Sequence, residues 1–444
     1  MKPIKSGLLA LLLVLLGLWL HADTLLPHPF TYFSFRSAFV QLTGVIAIGA
    51  MSVALLLAVR PQWLERPLDG LDKMYRLHKW LGIVALVAGV LHWWWAQGTK
   101  WMVGWGWLTK PARRPAAEET LGMLEGWLRG QRGSAEFLGE WAFYGVVILL
   151  LLALIKRFPY HLFARTHGWL AGLYLVLVYH SVVLTRTAYW SQPIGWTSGV
   201  LMGIGVWAAL VALSGRIGAH RRTRAQIESL TYYPELRVLE AGLRLAPGWA
   251  GHRAGQFAFV TSDPREGAHP YTIASAWDPL DRRMVFIAKA LGDHTRRLRE
   301  RLQTGMEVTV EGPYGCFDFE DGAPRQIWIG AGIGITPFVA RMKQLAQTPG
   351  APQVDLFHPT ADYEQAAIDR LTADAGAAQV RLHLHVSGRD GRLDGAYIRS
   401  VVPEWASASI WFCGPASFGD VLRRDFVAHG LAPGRFHQEL FAMR

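Results

Sequence analysis

Four of the sixteen histidines in this chain lie inside apolar stretches, where an ionisable side chain is costly and so marks a place of chemistry. His78 and His92 share one stretch and stand 14 positions apart; His167 and His180 share another and stand 13 apart. Either spacing corresponds to roughly 20 Å of helical rise. Neutral imidazole is a ligand for transition metals, and the two cysteines, Cys316 and Cys413, make neither a disulfide framework nor a cysteine metal site. The plain alternative is two pairs of histidines hydrogen-bonded within a bundle. It accounts for any one of them better than for four in two matched pairs.

The two stretches are the third and fifth of six, so as membrane helices they run in the same direction. His78 then shares a level with His167, and His92 with His180. Two bis-imidazole sites stacked across a membrane follow, and haem iron held by histidine on both faces keeps no open position for oxygen. Such a centre is suited to outer-sphere electron transfer. At about 100° per residue, 14 positions return nearly to the same helix face but 13 do not, so the fifth helix needs tilt, side-chain reach or an irregularity. Gly82, Gly89, Gly168 and Gly172 suit a flat macrocycle close to backbone, and equally suit helix packing.

The elements that must position these histidines are the apolar stretches 7–20, 38–59, 75–97, 137–155, 165–184 and 194–214, most of them near the length of a membrane span. Lysine and arginine cluster on one side: Lys2 and Lys5; Arg60, Arg66, Lys73, Arg76 and Lys79; Lys156, Arg157 and Arg165; Arg216, Arg221, Arg222 and Arg224. The positive-inside rule makes that side cytoplasmic and puts the second half of the chain there. The first stretch, with Lys2 and Lys5 ahead of a leucine-rich run, reads as a retained helix or as a signal peptide. Trp93, Trp94, Trp95, Trp101, Trp105 and Trp107 form an interfacial belt on the outer side. The net charge of +11 is explained by these membrane-flanking clusters rather than by a nucleic-acid surface.

Composition changes after about residue 225, where acidic residues, glycine and proline become ordinary for a water-soluble protein. Alternating runs at 237–240, 256–261, 284–288 and 307–311 predict an antiparallel barrel. Beyond Pro324, strands at 326–330, 354–358, 381–387 and 409–413 separated by helical segments predict a parallel nucleotide-binding sheet. The segment GAGIGITP, from Gly330 to Pro337, follows a strand and opens a helix, so its amides suit a pyrophosphate. Three further motifs accompany it: HPYTIAS from His269 to Ser275, GPYG from Gly312 to Gly315, and FCGP from Phe412 to Pro415.

With these motifs in this order, the second half resembles the ferredoxin-NADP reductase family. The whole chain resembles the ferric reductase and NADPH oxidase superfamily, whose haem signature has the same 14 and 13 spacings. The resemblance implies a multidomain membrane protein: an all-α six-helix haem bundle at 1–220, an antiparallel β-barrel FAD domain at 221–322 and an α/β NAD(P)H domain at 323–444.

It further implies that His269, Pro270, Tyr271 and Thr272 contact FAD, with Tyr271 packing on the isoalloxazine and Thr272 at its reactive edge. Many families with this motif have arginine where this chain has His269. Ser275 and Gly312 belong to the same flavin site, and Gly292, Asp293, His294 and Thr295 of the GDHT segment to a pyrophosphate-facing loop, or else to an ordinary helix cap. Gly330, Gly332, Gly334 and Thr336 would hold the dinucleotide, with Cys413 and Gly414 beside the nicotinamide. Ser387 and Arg389 would receive a 2′-phosphate and favour NADPH over NADH. Phe441 would cover the flavin, or Met443 if the alignment slips.

On this resemblance NAD(P)H passes hydride to FAD, and single electrons cross two b-type haems to an acceptor on the outer face. Ferric chelate is the first candidate acceptor and oxygen, giving superoxide, the second; a periplasmic protein or quinone is a third. Ala96 stands where oxygen-reducing members carry another histidine, which favours iron. Arg36 supplies a positive charge for the acceptor, or is a snorkelling interface residue.

Overall fold

The computed structural model describes residues 2–109, 122–155, 160–347 and 352–439. The chain divides into two compact units, Met1–Leu68 with Lys73–Ile217, and Asp69–Asp72 with Gly218–Met443.

The first unit contains six helices long and apolar enough to cross a membrane. They are α1 (Lys2–Ala22), α2 (Tyr32–Ala58), α3 (Leu71–Gly104), α4 (Arg132–Leu154), α5 (Tyr160–Leu184) and α6 (Pro193–Leu213). Each expected stretch lies almost wholly within its helix, and most helices run past the apolar stretch. Polar residues continue a helix once its hydrogen-bond ladder is started, so α3 extends from Leu71 to Gly104. Proline at the first position starts α6, and Thr31 caps α2 by accepting from Ser34 N–H.

Helix α1 packs into this unit. Leu15 and Trp19 are fully buried, and the Trp19 indole donates to the Tyr189 hydroxyl at 3.1 Å. Asp23 just beyond α1 accepts from both Arg186 and Tyr189. Gly49 on α2 admits Leu15, since a Cβ there would lie 2.7 Å from a Leu15 methyl.

The second unit begins with a six-stranded antiparallel sheet in the order β4-β3-β6-β1-β2-β5. Its strands are β1 (Arg222–Tyr233), β2 (Val238–Leu245), β3 (Phe257–Thr261), β4 (His269–Thr272), β5 (Arg283–Lys289) and β6 (Glu307–Tyr314). A bridge between Ile273 and Phe286 joins the two edges, so the sheet curls into the expected barrel. Ile227, Leu243, Ala258, Met284 and Val310 fill it. Helix α7 (Asp293–Arg301) connects β5 to β6.

A five-stranded parallel sheet follows in the order β11-β10-β7-β8-β9. It comprises β7 (Arg325–Gly330), β8 (Gln353–Thr360), β9 (Arg381–Val386), β10 (Ser409–Cys413) and β11 (Phe436–Gln438), with α8 (Thr336–Leu345) after β7 and α9 (Gln365–Ala377) after β8. Near-continuous burial of β7, β8 and β10 reflects helices on both faces. One core layer joins Trp328, Phe338, Leu356 and Trp411; the other joins Ile329, Phe357, Phe412 and Phe426. Barrel and parallel sheet are tied by Lys289 with Asp362 at 2.5 Å and Arg370 with Glu240 at 3.0 Å.

Candidate functional site

In the first unit, α3 and α5 bring their histidines together in pairs. The rings of His78 and His167 have centroids 5.8 Å apart, and those of His92 and His180 are 6.1 Å apart. A metal ion coordinated by a ring nitrogen on each side, at roughly 2 Å, sets two imidazole centroids roughly 6 Å apart. Both pairs therefore have the separation that one metal ion held between two imidazoles would require.

Tautomer and orientation are set by carbonyl groups. Nδ1 of His78 bonds Ala54 O at 2.8 Å, Nδ1 of His92 bonds Val40 O at 2.9 Å, and Nδ1 of His180 bonds Ala135 O at 2.8 Å. A carbonyl only accepts, so Nδ1 carries the proton in each, and Nε2 is left with its lone pair for a metal. His167 differs: its ring lies on Phe163 at 4.9 Å, and its Nδ1 is buried without a hydrogen-bond partner among the described residues.

Two glycines make the outer pair possible. Val40 precedes Gly44 by four positions, and Ala135 precedes Gly139 by four. A helical side chain leans back over the preceding turn, so glycine at the fourth position uncovers the carbonyl that the histidine reaches. A Cβ on Gly44 would approach His92 to 3.3 Å, and one on Gly139 would lie 1.9 Å from His180 Nδ1. The 13-residue spacing is accommodated without a break in α5, because His180 reaches across to α4 while His167 folds along its own helix onto Phe163.

A cavity of about 340 Å³ opens beside the outer pair, lined among others by Gly89, His92, Gly139, His180, Arg36 and Lys100. Arg36 is fixed at its edge, donating to Trp95 O and Thr99 Oγ1 at 3.0 Å and to Ala96 O at 3.2 Å. Matched imidazole pairs, uncovered carbonyls and an adjoining cavity together fit a flat metal-bearing macrocycle. Of the glycines singled out from sequence, Gly89 lines this cavity, whereas Gly168 and Gly172 face open space.

In the second unit, the flavin motif forms β4. Thr272 is buried at its end, paired with Phe257. The Tyr271 hydroxyl lies 2.9 Å from His294 Nε2, and burial pushes its pKa up. Pro270 pairs with Phe259, and the His269 ring stacks on His294 with centroids 3.5 Å apart. Ser275 is turned to the fold: its hydroxyl accepts from Val285 N–H at 3.1 Å. Gly292 caps α7, which opens with Asp293, and the Thr295 hydroxyl accepts from the amides of Leu291 and Gly292 at 3.0 Å. Gly312 lies in β6, beside Ala258 of β3.

The glycine segment and FCGP meet at the carboxyl ends of β7 and β10. These strands are neighbours, Gly330 beside Cys413, and here the strand order reverses, which is where parallel sheets bind ligands. Ala331 N–H donates to Cys413 O at 2.9 Å. A Cβ on Gly334 would lie 2.2 Å from that same oxygen, and Gly332 has φ of +54°, so both positions call for glycine. Thr336 is buried and donates to Ile333 O at 2.8 Å. Gly414 follows β10 with its own positive φ of +157°. Cys413 is fully buried, and burial, with Glu439 adding to it, pushes its thiol well up, so it is a neutral S–H.

Ser387 and Arg389 are exposed just past β9, in a short helical turn, Ser387–Asp390, rather than in the strand itself. Arg389 bonds both carboxylate oxygens of Asp390, at 2.8 and 2.9 Å, and these bonds hold Asp390 at about 2. Phe441 and its alternative Met443 lie outside the described residues.

Residues 43–178 match the family described as ferric reductase like transmembrane component, and residues 226–317 match an FAD-binding domain. Among curated proteins, the heme-dependent oxidative N-demethylase beta subunit of Ectopseudomonas mendocina is 31% identical over 40% of this chain and 56% of its own length. An NADPH oxidoreductase of Mycobacterium tuberculosis is 27% identical over 46% of this chain and 56% of its own. The chain spans about half the length of the curated relatives it matches. The solved Amycolatopsis cytochrome P450 reductase GcoB is 22% identical, with a TM-score of 0.44 over 50% of this chain and 70% of that one. The protein is a membrane oxidoreductase in which a segment matching the ferric reductase like transmembrane component is joined to an FAD-binding reductase module, an arrangement consistent with a ferric reductase and NADPH oxidase-like fusion.

Proposed function

We propose that the chain is an NAD(P)H-dependent flavocytochrome b that delivers electrons across the membrane to a ferric chelate. The observation that carries this reading is the pairing of four histidines, 5.8 and 6.1 Å between ring centroids, inside helices of membrane length. When bound, FAD would accept a hydride from the nicotinamide and the two haems would pass its electrons on singly.

The chain's own part is binding, orientation and exclusion of water. His78 with His167, and His92 with His180, would ligate the two irons through Nε2, leaving no coordination position for oxygen. Gly332, Gly334 and Thr336 would receive the dinucleotide phosphates; neutral Cys413 and Gly414 would pack the nicotinamide against the flavin held by β4. Arg389 would meet a 2′-phosphate only by giving up its bonds to Asp390, so NADPH preference is modest. The basic clusters at one set of helix ends make the flavin side cytoplasmic.

Iron is favoured over oxygen as acceptor by Ala96, which offers no imidazole beyond His92, and an anionic chelate is suited by the outer cavity's lining, where Arg36, Lys100 and Arg132 outnumber Glu136 and Glu140. The reading is tested by reducing detergent-purified protein anaerobically with NADPH and mixing it separately with ferric citrate and with oxygen. Faster reoxidation by ferric citrate is expected; stoichiometric superoxide would make the protein an oxidase.

A further inference from the structure

Barrel closure brings Glu266, His269 and Tyr271, at and just before β4, together with His294 and Arg301 of α7, more than 20 positions further on. The His269 ring lies flat on His294, centroids 3.5 Å apart and planes within 10°. His294 is committed on both nitrogens. Its Nδ1–H donates to Glu266 at 2.5 Å, and its Nε2 accepts from the Tyr271 hydroxyl at 2.9 Å. Arg301 clasps the other oxygen of Glu266. Although burial opposes it, the bonds from His294 and Arg301 hold Glu266 below the usual carboxylate range. His294 is therefore the fixed floor on which His269 rests.

Donor atoms of Glu266, His269 and His294 lie within 4.8 Å of one another, which raises a metal site as an alternative. The ring geometry argues against it. Imidazole lone pairs lie in the ring plane, so two parallel stacked rings point their lone pairs side by side instead of converging on one ion. Both His294 nitrogens are also already engaged by protein partners.

The remaining reading is an anion. His269 is the first residue of the flavin motif, and all five residues lie within the matched FAD-binding domain. Burial first, then the neighbouring His294, push His269 down to about 4, with Glu266 offsetting part, so it is neutral in the free protein. An anion placed beside it favours the charged imidazolium.

We propose that His269 takes up one proton from solvent when the flavin pyrophosphate binds, so that FAD affinity is linked to pH through a histidine pair braced by Tyr271, Glu266 and Arg301. This rests on the FAD reading of the same site. His269 is acted on by His294 of α7 and by Glu266 from the loop before β4, and these two are held in turn by Tyr271 of β4 and Arg301 of α7. Because the bound form has the higher affinity for the proton, FAD binds more tightly as pH falls, and the gain levels off below about 4.

The test is FAD affinity of the full, flavin-stripped chain in detergent with EDTA present, by flavin fluorescence, with proton uptake from calorimetry in two buffers of different ionisation heat. Wild type should bind FAD on the order of 10-fold more tightly at about pH 5.5 than at about pH 8.5, with proton uptake, while riboflavin, which lacks phosphate, shows no such gain. His269→Gln should bind weakly and without pH dependence; His269→Arg, with a fixed charge, should bind tightly at both. Affinity independent of pH in wild type, or a dependence that survives in His269→Gln, overturns the inference and leaves the FAD reading standing. No FAD binding by any of the three proteins at any pH would overturn both.

Discussion

The two units place their candidate chemistry on different parts of the chain. In the helical unit it rests on four side chains, three of them aimed by a carbonyl of a neighbouring helix. In the sheet unit it rests largely on backbone: glycines that let GAGIGITP approach Cys413, and a helix that opens after them. A site made of a few side chains should fail abruptly when one is removed. One made of backbone and packing should weaken by degrees.

The largest effect should come from His180→Ala. It leaves His92 without a partner, so purified protein should carry one haem rather than two by pyridine haemochrome assay, with acceptor reduction on the outer side lost. Gly139→Leu should do nearly as much without touching a ligand, because even a Cβ would fall 1.9 Å from His180 Nδ1. Gly133→Ala, on the same helix but facing open space, should keep both haems. If Gly139→Leu retained two haems, the idea that glycine uncovers the aligning carbonyl would be wrong.

On the sheet side, Phe338→Ala should destabilise the unit by about 3–5 kcal/mol, since this ring is fully buried against Phe317, Phe319 and Trp328. Chemical denaturation followed by flavin fluorescence would measure it, and haem content should not change. Gly334→Ala, whose Cβ would meet Cys413 O at 2.2 Å, should weaken NAD(P)H binding by about 10-fold while FAD stays bound. Smallest, Cys413→Ser should slow flavin reduction by NADPH a few-fold at most. Because the Cys413 thiol is pushed up and stays protonated, wild type and variant should share one rate profile between about pH 6 and about pH 9.

The same contrast governs how much of the site is legible in the sequence. Histidine inside an apolar stretch is conspicuous because its burial is costly, so both pairs and their partners can be read from residue types and spacing alone. Their carbonyl partners cannot, because every residue has a carbonyl; only the glycines four positions after Val40 and Ala135 carry a signal, and in a membrane helix glycine also means ordinary packing. Strands β7, β8, β9 and β10 stand out through apolar runs and intervening helices. Strand β1 is harder to read, since charged residues fill its exposed alternate positions, and β11 has only three residues. His294 stands out in the sequence only as part of GDHT. Its meeting with Glu266 and His269 depends on how the barrel closes.

The most direct test of the two-centre account is the visible spectrum of detergent-purified, haem-replete protein reduced anaerobically with NADPH. The account predicts that flavin bleaching is followed by a reduced b-type spectrum from two haems per chain, with half of that signal missing in His92→Ala. Protein that binds FAD yet carries no haem, or whose haem NADPH cannot reduce, would contradict it.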